Sequence, residues 1–300
     1  MLRIGTRGSA LALTQARGVA EAIGDAELVP IRTSGDEGGA AAAPVEDKSR
    51  FVREIERALL EGEIELAVHS AKDLPGELPE GLELVGVPAR EDPADAWVGA
   101  AAASLEEVPP GARIGTSSLR RRSELLALRP DLEIVPLRGN VDTRLRLLAE
   151  RELDGIVLAA AGLRRLGREG EIAFTLGIEE MTPAPGQGSL ALEARGGDPG
   201  AAEAAAALTD REALIELIAE RAAVSGLDAS CETPVGVCAR HRDDALVIYG
   251  FAGMPDGSEH IRERVEGDRT QPVALGEALV ERMARAGARE LLARAAGGGS

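Results

Sequence analysis

The chain opens on a short apolar run, Leu2 to Thr6, followed after Arg7-Gly8-Ser9 by a stretch in which Leu11, Ala12, Val19 and Ile23 fall on one helical face, with Gln15 as its polar member. A switch from an extended apolar run to helical spacing predicts a strand and then a helix over about Ala10 to Ile23. Leu28 to Arg32 reads as a second strand, and Phe51 to Glu61 as a helix with Phe51, Val52, Ile55 and Leu59 along one side. Leu66-Ala67-Val68 reads as a third strand. This alternation predicts an α/β domain with parallel strands. Residues 33–48, rich in Gly, Ala, Pro and acids, are expected to form a mobile loop.

After a linker at Pro88 to Pro93 and a strand at Ala96 to Gly99, the opening pattern recurs. Ile114-Gly115-Thr116 is followed by Ser117-Ser118 and a helix from Leu119 to about Leu128, as Ile4-Gly5-Thr6 is followed by its own turn and helix. Both turns bring hydroxyls and backbone N–H groups to a helix N-terminus, where the dipole favours an anion. Strand Ile134–Leu137 leads into Arg138 and, through Arg144, a helix to Glu150; strand Gly155–Ala159 leads into Arg165. Ligands of open α/β sheets bind at such strand ends. A turn-rich crossing at Pro183 to Gly188 precedes strand Leu190–Ala194, expected to rejoin the first domain. Ala201 to Leu208 is an alanine-rich helix or linker. The remainder predicts a smaller α+β unit: a helix at about Glu212–Val224, a loop with Cys231, strands near Leu246–Phe251 and Ile261–Val265, and one helix over about Pro272–Ala295. The expected organisation is domain 1 at 1–90 and 185–207, domain 2 at 91–184 and domain 3 at 208–300, with a disordered tail from Gly297.

Composition narrows the chemistry. A chain of 300 residues is long enough for two or three cores, and aromatics at 2% leave those cores to Leu, Val, Ile and Ala. A net charge of -17 argues against a nucleic-acid partner, which needs a basic surface. No run reaches the ~18 apolar residues of a membrane span, and Met1 to Arg7 has no signal-peptide core, so a cytoplasmic location is expected. Cys231 and Cys238 have no partners at metal-ligand spacing, and no metal site is expected. Of the 34 basic residues only Lys48 and Lys72 are lysine. Such a skew points to a genome bias, and those two positions either need a compact ammonium or survive by chance.

The most concentrated chemistry follows the third strand: His69-Ser70-Ala71-Lys72-Asp73-Leu74-Pro75. Asp73 before Leu74-Pro75 reads equally as a turn residue or as the carboxylate of a site. With only three histidines, no nucleophile elbow and no paired HExxH, catalysis by a classical triad is unsupported. The residues by themselves describe a protein that binds a polyanion in an interdomain cleft, with a carboxylate held among cations.

The stretches RIGTRGSALALTQA, FVREIERALLEGEIELAVHSAKDLP, REDPADAWV, IGTSSLRRRSELL, LRGNVDTRL, AAAGLRRLG and PAPGQGSLALEAR run from residue 3 to 195. They closely resemble the hydroxymethylbilane synthases, also called porphobilinogen deaminases. That resemblance implies two periplasmic-binding-protein-like α/β domains and a smaller α+β domain carrying a dipyrromethane cofactor on Cys231 through a thioether. It implies a monomeric transferase of tetrapyrrole and heme biosynthesis that deaminates porphobilinogen, adds four units to the primer and releases hydroxymethylbilane by hydrolysis. Asp73 then matches the catalytic carboxylate, suited to a substrate that becomes cationic when ammonia leaves. Lys72, Thr116, Ser118, Arg120, Arg121, Arg138, Arg144 and Gln187 match cofactor-binding positions. Arg7, Ser9, Gln15, Arg138, Arg144 and Arg165 match positions that hold porphobilinogen and the growing oligopyrrole, whose carboxylates suit the guanidinium fork. Lys72 would tune Asp73 or hold a substrate carboxylate. Four positions depart from the family pattern: Ala229-Ser230 stand where two glycines are usual, Pro44 where lysine is common, and Asp142 replaces a common glycine. A two-lobed anion sensor is the rival, and it would need neither Asp73 nor a modified Cys231.

Overall fold

The computed structural model describes residues 1–31, 50–150, 152–227, 229 and 233–297. Cys231, the expected loop at 33–48 with its Pro44, and the last three residues of the tail lie outside the described residues. The chain divides into two compact units, Met1–Glu91 with Gly188–Leu214, and Asp92–Gln187 with Ile215–Ser300.

The first unit is a five-stranded sheet built from β1 (Leu2–Arg7), β2 (Ala26–Ile31), β3 (Leu66–Ser70), β4 (Leu82–Gly86) and β10 (Leu190–Arg195), in the order β2-β1-β3-β10-β4. Helices α1 (Ala10–Ile23) and α6 (Pro199–Leu208) cover Ile4, Leu66, Val68 and Leu192 on one face, while α2 (Arg50–Leu60) buries Ile55 and Leu59 with Ala67 on the other. β1 runs parallel to β2 and β3, but β10 is antiparallel to both β3 and β4, so the sheet is mixed rather than parallel throughout. A strand delivered by a returning segment is free of the helical crossover that keeps sequential neighbours parallel. The alanine-rich stretch is helix, not linker, because Asp198 caps it and Pro199 pre-sets its first turn.

The second unit repeats this topology. β5 (Asp95–Gly99), β6 (Arg113–Gly115), β7 (Glu133–Val135), β8 (Gly155–Ala159) and β9 (Phe174–Leu176) lie in the order β7-β6-β8-β5-β9, with α3 (Leu119–Leu128), α4 (Val141–Glu150) and α5 (Ala160–Arg165) between them. Again three strands are parallel and the fourth, β5, runs against its neighbours. Trp97 stacks on Phe174 with centroids 5.8 Å apart, and Gly155 lies so close beneath the indole that an added Cβ would sit 2.2 Å from it.

The same unit contains most of α7 (Arg211–Leu227), the antiparallel sheet β11 (Val235–Arg242), β12 (Ala245–Gly253) and β13 (His260–Asp268), and helices α8 (Pro272–Arg285) and α9 (Ala288–Gly297). The single C-terminal helix expected from periodicity is two helices. Gly287 at φ 94° breaks it, a conformation glycine adopts without steric cost.

Candidate active site

β3 leaves the sheet into one turn of 3-10 helix, Ala71–Asp73, closed by a 3.2 Å bond from the Leu74 N–H to the Ala71 carbonyl. The Ala71 N–H donates to the Ser189 carbonyl at 3.0 Å, tying the turn to the chain entering β10. One residue earlier, the Ser70 hydroxyl and the Gln15 amide of α1 exchange hydrogen bonds at 3.1 and 3.2 Å. The result is a pocket in the first unit lined by Arg7, Ser9, Gln15, His69, Ser70 and Asp73 among others. Four residues expected from sequence therefore share one pocket, and Lys72 stands on the same turn, half-buried. Ser9 also caps α1, accepting from the Ala12 N–H at 3.3 Å.

The repeated turn in the second unit follows the same plan. Ser118 caps α3 by accepting from the Arg121 N–H, and the buried Thr116 hydroxyl accepts from the Ser118 N–H at 3.2 Å. The two arginines that follow are not laid out on the surface. Arg120 and Arg121 are 4% and 6% exposed, and they converge on Asp95, which is fully buried at the start of β5. Arg120 Nη1 donates to Asp95 Oδ2 at 2.7 Å; Arg121 Nε and Nη2 donate to Oδ1 at 3.0 and 2.7 Å. Gln187 Nε2 donates to the same Oδ1 at 2.9 Å. Burial alone would raise the Asp95 carboxyl, but Arg120 and Arg121 overcome it and hold it well below the usual carboxylate range. Arg120 Nε, by contrast, is buried with no partner among the described residues.

Arg120 also donates to Glu124 at 3.0 Å, and Glu124 accepts from the Thr182 N–H at 2.7 Å and from Arg262 of β13 at 3.3 Å. Burial pushes the Glu124 carboxyl up to about 7, against the pull of Arg120 and Arg262. From the unfolded value of 4.5 to about 7 the folded chain keeps a proton that the unfolded chain has lost, so this group's contribution falls as pH rises. Asp95, shifted down, is ionised in both states throughout that window and adds no slope. Native stability minus that of Glu124→Gln is therefore expected to drop by on the order of 3 kcal/mol between about pH 4.5 and 8. Urea unfolding at several pH values measures it; a flat difference would mean that Glu124 stays charged.

The remaining expected residues of this unit are spread over its strand ends. Arg138 is exposed after β7, and Arg165, half-buried, ends α5. Arg144 sits on the first turn of α4, where Asn140 Oδ1 caps the helix at the Thr143 N–H and Arg144 Nε donates to the Gly139 carbonyl at 2.8 Å. Asp142, the departure that adds negative charge here, pairs with Arg168 at 3.0 Å, so its charge is locally balanced. Ala229, one of the two residues standing where glycines are usual, packs its methyl against the core of the C-terminal sheet. Sequence reasoning singled out neither Asp95 nor Glu124. The signal available was a carboxylate inside the apolar run Ala94 to Val98.

Two family models match this chain: "Porphobilinogen deaminase, dipyromethane cofactor binding domain" over residues 2–203, and "Porphobilinogen deaminase, C-terminal domain" over 214–285. Porphobilinogen deaminase of Thermus thermophilus is 48% identical over 298 residues, covering 97% of this chain and 98% of its own. The enzyme of that name from Syntrophus aciditrophicus is 46% identical over 298 residues, covering 97% of each.

Proposed function

This chain belongs to the porphobilinogen deaminase family, and from that premise we propose that Asp73 is its catalytic carboxylate and Cys231 the residue that carries its cofactor. The family's reaction condenses four porphobilinogen molecules onto a dipyrromethane cofactor to give hydroxymethylbilane, a transferase step of tetrapyrrole biosynthesis. The observation that carries the assignment of Asp73 is its pocket, where among the described residues it is the one carboxylate sharing the lining with Arg7, Ser9 and Gln15.

Each group has a part that its chemistry suits. Arg7 is the cation for a substrate carboxylate, and Ser9 and Gln15 supply hydroxyl and amide partners for the same molecule. Asp73 faces the positive charge that grows on the pyrrole as ammonia departs, and it accepts from pyrrole N–H groups. Arg138, Arg144 and Arg165 hold further carboxylates of the lengthening chain. Lys72 adds a point charge beside Asp73, either tuning it or holding a carboxylate of its own.

The second unit fits a dipyrromethane with acidic side arms. Arg120 offers a buried Nε with no partner among the described residues, beside the Thr116–Ser118 turn, while Asp95 and Glu124 fix its Nη1 edge. Arg121 and Gln187 meet at Asp95, so they hold that turn in place and lend the group they would bind a rigid wall. When bound, the cofactor supplies the pyrrole carbon to which units are added.

We place domain 1 at 1–90 and 185–207, domain 2 at 91–184 and domain 3 at 208–300, a partition supported by the presence of one sheet in each. A cytoplasmic monomer completes the reading. No helix among the described residues is long and apolar enough to cross a membrane.

Intact mass tests the cofactor assignment. Protein made with porphobilinogen available is expected to carry the added mass of a dipyrrole, and Cys231→Ser to carry none. A bare mass in the unsubstituted protein, or an unchanged adduct in the variant, would overturn it.

A further inference from the structure

Starting from His69 in the pocket lining, the first unit buries three titratable groups to which the proposed reaction assigns no part. His69 on β3, Glu193 on β10 and Glu56 on α2 are 5%, 0% and 7% exposed. His69 Nε2 lies 2.9 Å from Glu193 Oε2, reaching diagonally across the antiparallel pair in which Glu193 stands opposite Ala67. Glu193 Oε1 and Glu56 Oε1 are both sealed from solvent with no partner among the described residues. Burial, and then the nearby Glu193, raise the Glu56 carboxyl toward its neutral form. An apolar trio would fill this space at lower cost, so the imidazole–carboxylate bond calls for a reason beyond packing.

Its place in the chain supplies one. Three successive residues at the end of β3 are each tied to a different part of the unit: His69 by Glu193, Ser70 by Gln15, and Ala71 by the Ser189 carbonyl. Side chains of neighbouring strand residues point to opposite faces, so the first two ties hold the strand end from both sides of the sheet. The last of these, Ala71, opens the turn that presents Asp73. We propose that His69 and Glu193 are positioning residues for Asp73, locking the strand end that aims its carboxylate. This rests on Asp73 being the catalytic carboxylate.

The test uses cofactor-loaded enzyme, with loading checked by intact mass, and compares two neutral amides. In His69→Gln the amide nitrogen reaches the place of Nε2 and keeps the bond to Glu193; in His69→Asn it falls short. A small displacement of a catalytic group lowers turnover far more than substrate binding, so His69→Asn should lose about tenfold to a hundredfold in kcat with KM within about threefold, and His69→Gln should stay within about threefold of native in both. If both variants stay active the histidine only packs, and if both are dead the bond to Glu193 is not what turnover needs; either result overturns the proposal. Should His69→Asn not fold, Glu193→Leu, which removes the acceptor, replaces it, with a loss in kcat at unchanged KM expected and a native kcat overturning the proposal. Asp73→Ala is run alongside: normal turnover in that variant would sink the assignment of Asp73 itself, whatever the histidine variants do.

Discussion

Asp73→Ala is expected to give a folded, cofactor-loaded protein that consumes porphobilinogen about a thousandfold more slowly. At roughly 4 Å and an effective dielectric near 20, a carboxylate facing a developing cation contributes about 4 kcal/mol, which is about three decades in rate. The fold should survive because the turn that carries Asp73 is closed by backbone bonds, Leu74 N–H to Ala71 and Ala71 N–H to Ser189, and is anchored upstream by Ser70 and Gln15. Circular dichroism checks folding, and the time course of porphobilinogen loss checks rate. Asp73→Asn keeps the shape and removes the charge, so it should fall nearly as far. A loss of less than about tenfold in either variant would mean that the cation is stabilised by another group.

Local rules made much of this site legible. Ser9 and Ser118 each follow an apolar run and precede a helical one, which is the signature of a cap, and both are caps. The strand expected at Leu66–Val68 was readable from its apolar run, but the polar cluster did not mark its end, since β3 runs on through His69 and Ser70. Long-range partners were not readable. An arginine near the start of a helix looks the same whether it awaits a ligand or is already held, and Arg120 and Arg121 are held by Asp95 from 25 and 26 residues away. Glu193 has its partner 124 residues distant, and only the direction of β10 brings the two together. That direction was itself invisible, since a buried apolar strand carries no mark of parallel or antiparallel pairing. The repeat of Ile-Gly-Thr announced two related turns but not that all five strands of the second sheet would follow the order and directions of the first.

The Asp95 network makes the largest stability claim. Asp95→Asn leaves two buried guanidiniums facing one another with a neutral amide between them, and Arg120 keeps only Glu124 as a charged partner. Breaking a buried pair by removing one member typically costs about 3–5 kcal/mol, because the orphaned charge cannot be rehydrated, and here two charges are exposed to that penalty. Urea unfolding of the second unit is expected to register at least that loss at neutral pH. Cofactor loading should fall with it, since Gln187 is bonded to the same carboxylate directly and the Thr116–Ser118 turn is fastened to it through Arg121 and its helix. Replacing both partners separates charge from packing. In Asp95→Leu combined with Arg121→Met one carboxylate and one guanidinium leave together, so much of the stability should return, while Arg120 still has Glu124. Loading should not return with it, because the wall that Arg121 built is gone. If the single Asp95→Asn variant costs less than about 1 kcal/mol, water reaches these groups and the arginines are free to turn toward a ligand. If instead the double variant regains both stability and cofactor, Arg121 has no part in the site and Arg120 alone serves the anion.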